Sequence, residues 1–456
     1  MDLLKRFFKF VIPSIVSMWV FSLYSMVDGM YVAHGVGPSA LAAVNLSMPY
    51  TAVIFTVGLL FATGTSTVIS IALGKKDLPT ARHYFNQNLV VVGIVSIIFT
   101  IFTLIFLDPI AHFLGATPST LTYVKEYVGT ISVFFVFFTI SYNLEVQVKA
   151  DGAPQISTIG VISCAIMNIV LDYVFVIAIP WGVFGAAFAT GLSQMTSTTV
   201  FVIYFLTHKE RLRLQKFKPH LADYRRILPL GLSDGLTELS NGIVIFAFNH
   251  TIMRVIGESA VVTYTIISYV NTLVLMTMTG TTQGIQPLTS YYYGAGERKT
   301  CHRLLKYGLC LVTLFSAVSF LIGQGLAEPI VRLFLDSGDP LIPASVSALQ
   351  QFSFAFLILG FNVIIAGFFT AVERPVYSVT ISFGRGLVLV VGSLLAVAAV
   401  FGEAGVWYST LLSEALCLFV TGFFLLRYRR SLRLEAPEVL AVTCVETDAD
   451  PFPVEP

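Results

Sequence analysis

Runs of about 20 or more apolar residues, the length a helix needs to cross a bilayer core, recur near 10–34, 41–73, 84–107, 120–148, 157–179 and 183–207. Six more follow near 229–256, 259–293, 304–327, 345–371, 378–400 and 404–427. Lipid offers no hydrogen-bond partner to a bare backbone, so a chain built this way is held to membrane-spanning helices. An all-α integral membrane fold with twelve transmembrane helices is therefore expected. Composition agrees, with 56% hydrophobic and 12% charged residues and a mean hydropathy of +0.82, far from a soluble domain. A net charge of +1 argues against a nucleic-acid partner. The five Cys form no CxxC pair, and Cys164, Cys310 and Cys417 lie inside apolar runs, as packed free thiols rather than a disulfide or zinc framework. MDLLKRFFKF has basic residues before an apolar run and no small-residue cleavage site behind it, as in a retained first helix.

Charge placement sets the orientation. With both termini cytoplasmic, all of the 27 Lys and Arg fall in inner segments except Lys125, Arg254, Arg332 and the intramembrane Arg385, as the positive-inside rule requires. A multi-pass protein of the cell (inner) membrane is expected. The acidic, Pro-containing tail reads as disordered.

The chain also repeats itself. A shift of 220 residues pairs Gly37 with Gly257, Ser39 with Ser259, Gly74 with Gly294, Pro109 with Pro329, Gly182 with Gly402 and Gly185 with Gly405. Thr190 and Ser193 meet Thr410 and Ser413 at the same shift. Each half holds an even number of spans, so the two six-helix bundles share an orientation and a pseudo-two-fold along the membrane normal relates them. The expected units are a first lobe over 1–207, a cytoplasmic linker over 208–228, a second lobe over 229–428 and a disordered tail over 429–456. Two bundles around a cleft suit alternating access.

Acids within the spans are few: Asp28, Glu145, Asp172, Asp234, Glu238 and Glu414. Inserting Asp at a helix centre costs roughly 2.5–3.5 kcal/mol, so each calls for a role. At about 1.5 Å per residue, Asp28 lies about 10 Å below the outer end of span one, while Asp172 on span five and Thr190 on span six lie about 12 Å deep. Asn168 shares a face with Asp172, one turn away. Two carboxylates with amide and hydroxyl oxygens could bind a hard cation such as Na⁺ or hold a proton, and no other metal site is expected. The repeat counterparts of Asp28, Asn168 and Asp172 are Phe248, Val388 and Gly392, so this cation site belongs to the first half alone. A hydroxyl bonded back to its own helix is the plain alternative for Thr190.

Asp234, counted from a helix start near 229, reads as a solvated helix end, and Glu238 as a deeper cleft candidate. Glu145 and Lys149, four apart near an inner helix end, read as a surface ion pair. Glu414, whose counterpart is Gln194, could meet substrate or only another helix. With Asn241, Gln283, Gln286 and Asn362, Glu238 and Glu414 complete the substrate-cleft candidates. GKKD after span two lacks Walker-loop spacing, which excludes ATP coupling by this chain.

Three stretches carry a family resemblance: YSMVDGMYVAHGVGPSALAAVNLSMPY, KADGAPQISTIGVISCAIMNIVLDYVFV and TQGIQPLTSYYYGAGE. Together with the six-plus-six topology they resemble the multidrug and toxic compound extrusion (MATE) family, in its MepA-like and DinF-like bacterial branch, over residues 5–430. The resemblance implies a two-lobed antiporter, not an enzyme, that expels organic cations or other toxic small molecules in exchange for H⁺ or Na⁺. It implies no cofactor and places the first-lobe cation site on Asp28, Asn168, Asp172 and Thr190. Members also use acids on spans seven and ten; Glu238 lies on the first, but span ten offers Asn362 inside and Glu373 at its end. A monomer in the lipid bilayer is expected. The rival on the same fold is a flippase of a lipid-linked oligosaccharide or other lipid-like substrate, which would line the cleft with several basic residues where this chain has Arg385. A membrane transferase would need a sizeable catalytic loop, and the loops are short.

Overall fold

The computed structural model describes residues 2–208, 211–336 and 338–439, and among them it is helical with no strand. The first half runs α1 (Leu3–Gly35), α2 (Pro38–Gly74), α3 (Leu78–Ile105), α4 (Leu107–Phe113), α5 (Leu121–Val133), α6 (Phe135–Asp151), α7 (Pro154–Asp172) and α8 (Gly182–Thr207). The second runs α9 (Tyr224–Val255), α10 (Ser259–Gly294), α11 (Arg298–Gly325), α12 (Ala327–Arg332), α13 (Ile342–Ser353), α14 (Phe356–Ala371), α15 (Pro375–Phe383) and α16 (Leu389–Val439). A π-helical turn, Tyr173–Ala178, extends α7, and another, Gly384–Val388, joins α15 to α16.

Among the described residues, seven helices are long and apolar enough to cross a bilayer, or nine when α5 with α6 and α13 with α14 count as spans bent by 51° and 43°. Helices α8 and α9 complete the set; α9 carries Asp234 and Glu238, which dilute its hydropathy. The stretch Pro375–Leu432 is two spans, because Gly402 breaks α16 at φ 59° and the chain returns to set Glu414 against Arg385. Twelve spans result, in two lobes.

The duplication is visible in the backbone. Gly37 and Gly257 adopt φ of 112° and 127°, and Gly182 and Gly402 adopt 64° and 59°. Side chains rarely reach that region, so glycine at matched turns preserves both copies of the bend. Helix starts follow local chemistry too: Asp77 caps α3 by accepting from the Thr80 N–H at 3.2 Å, and left-handed Gly152 ends α6 two residues before Pro154 opens α7.

The end bearing the amino terminus and the 211–223 connection is called basal here. The lobes meet backbone to backbone there. Carbon added at Gly74 would overlap the Tyr291 carbonyl, and at Gly294 the Ile71 carbonyl, a reciprocal pair at the 220-residue shift. Gly64 sits equally close to Ile227, and Gly231 to Leu60. Such small residues let helices approach where packing, not water exclusion, joins them. The basal half of α1 crosses over and buries Phe7, Phe10, Val11 and Ile15 in the second-lobe core. Outward, α3 presents Ile94, Ile97, Ile98, Ile101, Phe102 and Ile105 as an exposed apolar stripe, suited to lipid.

The connection between lobes is docked on α3. Its Gln215 and His220 N–H groups donate to Asn86 and Gln87, and Asp223 pairs with His83 and His220 at 2.9 Å each. Partial burial raises the Asp223 carboxyl, but the hydrogen bonds from the two His outweigh it and hold it below the usual carboxylate range. Helix α16 continues to Val439, into the predicted disordered tail; residues 440–456 lie outside those described.

Candidate functional site

Above the basal contact the lobes part around a cleft with about 1620 Å³ of empty space, solvent at its mouth included. Met18, Phe21, Tyr24, Phe55 and Phe138 give the first-lobe wall an aromatic and thioether surface. The second-lobe wall is more polar, with Asp234, Glu238, Asn241, Gln283, Gln286 and Asn362.

Beside the cleft, the outer halves of α1, α7 and α8 bring Asp28, Asn168, Asp172 and Thr190 together. Asn168 and Asp172 are fully buried, and the Asp28 and Asp172 carboxyl groups are near enough to interact with each other. The Asn168 amide donates to the Thr190 hydroxyl at 3.5 Å, and that hydroxyl donates to the Ala186 carbonyl at 2.9 Å. Four oxygens here are buried without a hydrogen-bond donor: Asp28 Oδ1, Asn168 Oδ1 and both carboxylate oxygens of Asp172. Converging acceptors that lack donors fit a hard cation, which takes oxygen ligands, or a proton. Helix α7 turns π-helical directly after Asp172, a distortion common at functional sites.

The second lobe has a carboxylate at its heart, but its partners are built in. Arg385 Nε donates to Glu414 Oε1 at 2.8 Å, and Asn362 Nδ2 donates to Glu414 Oε2 at 2.8 Å. Thr421 in turn donates to Asn362 Oδ1 at 3.0 Å. Glu414 is 3% exposed and stands behind Arg385 and Asn362, which line the cleft in its place. That corrects its reading as a cleft residue: the guanidinium is interposed. An isolated base and an isolated acid on consecutive spans were the available signal for this pair.

Two further expectations are overturned. Asp234 is no solvated helix end, because α9 begins at Tyr224 and sets it a further turn inside; it lines the cleft and accepts from Thr63 of the other lobe at 2.8 Å. Glu145 and Lys149 form no surface pair: they are 6% and 1% exposed. Lys149 Nζ donates to Glu145 Oε1 at 2.9 Å and to Gln283 Oε1 at 3.2 Å, across the lobes. Gln283 returns a bond to Tyr142 at 3.1 Å. Spacing of i,i+4 looks alike on a wet and a buried helix face, so sequence could not separate the two. Glu238, with Asn241 reaching it at 3.5 Å, is less engaged.

Twelve spans in two like-oriented bundles around an amphiphilic cleft are the architecture of a secondary transporter, not of an enzyme. The chain belongs to the MatE family, whose model matches residues 13–174 and 236–395. Among curated proteins it is 25% identical over 444 residues to the multidrug export protein MepA of Staphylococcus haemolyticus, covering 97% of each chain. It is also 25% identical over 443 residues to MepA of Staphylococcus aureus strain NCTC 8325, covering 96% of each. Solved structures share the fold. A MATE protein in complex with MaL6 superposes with a TM-score of 0.90 at 23% identity, over 95% of this chain and 97% of that one. A MOP superfamily transporter from Pyrococcus furiosus gives 0.88 at 23%, over 94% and 96%.

Proposed function

We propose that the protein is a multidrug exporter that expels organic cations by antiport with H⁺ or Na⁺, alternating access between its two lobes. Membership of the MatE family and full-length similarity to multidrug export proteins support the export reading. One observation carries the coupling: the four buried oxygens of Asp28, Asn168 and Asp172 that no donor satisfies. Asp28, Asn168, Asp172 and Thr190 hold the coupling ion. Glu238, Asn241, Gln283, Gln286 and Asn362 face the substrate, and the aromatic wall serves a cationic drug through its ring faces. No cofactor takes part.

The working unit is a monomer of the cell membrane with both termini and the basal end in the cytosol, lobes over 1–207 and 229–428, and a linker over 208–228. When the ion loads from outside, α1 and α7 are drawn together and drug affinity falls; the inward transition reverses the exchange. Only linked affinities can trade one gradient for the other. A flippase of lipid-linked oligosaccharide gains little support, since Arg385 and Lys149, the basic side chains at the cleft, are already paired with acids.

Reconstituted protein should drive drug efflux from proteoliposomes under an imposed Na⁺ or H⁺ gradient, and Asp28→Asn and Asp172→Asn should abolish the dependence on the gradient. Undiminished gradient-driven efflux in both variants would sink the coupling assignment.

A further inference from the structure

At the cleft floor, α6 presents Phe138, Tyr142, Glu145 and Lys149 in successive turns of one stripe, an order of ring, phenol, carboxylate and ammonium descending toward the basal end. The first three line the cleft, and Lys149 lines a small pocket beneath it together with Gln283. The ammonium thus stands between the cleft and the basal contact. A buried ion pair is a poor device for stability, since desolvating two charges consumes most of their attraction and an apolar pair would serve as well. This pair has a second property that an apolar one would lack: Lys149 is held by Gln283 of the opposite lobe, so its position depends on whether the basal side is closed.

We infer that Glu145 is a binding site for the organic cation being exported, and that Lys149 is a tethered competitor that fills this site when the basal side closes. In the closed arrangement seen here, Gln283 and Tyr142 fix the ammonium against Glu145, with Ser157 donating to the same carboxylate oxygen at 3.1 Å. When the lobes part at the basal end, Gln283 leaves with the second lobe, Lys149 is released toward the opening, and Glu145 accepts a monovalent organic cation backed by the Tyr142 and Phe138 rings. Basal closure returns Lys149 to Glu145 and displaces the drug. The exchange is between two cations on one carboxylate, so no uncompensated charge is left in the membrane at either stage.

The inference rests on the export reading, and tetraphenylphosphonium binding to the purified full-length protein separates the two. Wild type that neither binds nor exports this probe overturns both. If wild type binds it, Lys149→Gln should bind about tenfold more tightly, because a competing state is removed from the apparent affinity, while gradient-driven efflux slows. Glu145→Gln should bind about tenfold more weakly. A purely structural pair predicts no gain in Lys149→Gln, and an affinity that is unchanged or lower in that variant overturns the inference alone. Wild type supplies a readout free of any folding defect: saturating probe should increase the labelling of Lys149 by an amine-reactive reagent, measured by peptide mass spectrometry. Labelling that stays constant overturns the inference as well.

Discussion

The two lobes descend from one repeat, yet the carboxylates of spans one and five and that of span twelve are held in opposite ways. In the first, Asp28 Oδ1 and both carboxylate oxygens of Asp172 are buried with no donor to any of them. In the second, the counterpart of Asp28 is Phe248, which stacks on Tyr264 at 4.8 Å, and the carboxylate of span twelve, Glu414, is satisfied by Arg385 and Asn362. A mobile cation has a reason to visit the first lobe. The second carries its cation covalently, on a π-helical turn in span eleven, the repeat counterpart of span five where the first lobe has its own. Duplication supplied the scaffold twice; a transport cycle needs only one half to change charge, and the other can serve as its fixed reference.

That contrast is most exposed at Arg385. Arg385→Ala would strand Glu414 in a buried, uncompensated state, a loss of about 3–5 kcal/mol for a broken buried pair. Unfolding in detergent followed by intrinsic fluorescence should record it. Arg385→Met combined with Glu414→Leu removes both charges and should recover most of the stability. Equal losses in the single and double variants would mean that Arg385 packs rather than neutralises, and the contrast between lobes would lose its second half.

The first lobe should respond in the reverse sense. On the proposed coupling role its carboxylates gain from a bound ion, so wild type should be stabilised as the coupling ion is raised, by about 2.7 kcal/mol at a hundredfold excess over its dissociation constant. Asp172→Asn should be insensitive to the ion and fold as well as wild type, because it removes an unsatisfied charge. An ion-dependent stabilisation that survives in Asp172→Asn would place the ion elsewhere.

Glu238 sharpens the comparison from the second-lobe side. Asp234, one turn away, is tied to Thr63, whereas the Asn241 contact to Glu238 is long. Glu238→Gln should therefore weaken binding of a cationic drug roughly tenfold, about 1.4 kcal/mol, and leave a neutral drug unaffected. Asp234→Asn should change affinity less and instead loosen the interlobe contact. Equal losses for cationic and neutral drugs would make Glu238 a shape contact.

Much of this was legible in the sequence, for identifiable reasons. Span number, duplication and lobe relation follow from hydropathy and one fixed offset, quantities that tertiary detail cannot disturb. Counting about 1.5 Å per residue placed Asp28, Asp172 and Thr190 in one layer because α1 and α8 run unbroken to their outer ends and the π-helical turn after Asp172 keeps span five helical to Ala178. The same count failed at Asp234, where the helix starts at Tyr224, inside a polar stretch that hydropathy reads as linker. Glu145 with Lys149 was invisible as a buried pair because the opposite lobe covers it, and Arg385 with Glu414 was signalled only by a lone base and a lone acid on consecutive spans, since a returning helix brings them together. Local spacing carries neither.

Thr190 and Thr410 test the comparison at its finest grain, since the repeat preserves the residue while the surroundings diverge. The Thr190 hydroxyl spends its proton on the Ala186 carbonyl and accepts from the Asn168 amide. It can thus add one neutral oxygen to an ion's shell without a charge of its own. Loss of one such contact is worth about 0.5–1.5 kcal/mol, so Thr190→Ala should lower coupling-ion affinity several-fold in a thermal-shift titration while leaving maximal drug binding intact. Thr410→Ala, in a lobe that carries Val388 and Gly392 at the repeat positions of Asn168 and Asp172, should leave the titration unchanged. If both substitutions shift it equally, the threonines act through helix packing common to the two lobes; if only Thr190 does, the first-lobe layer works as a unit and its hydroxyl is part of it.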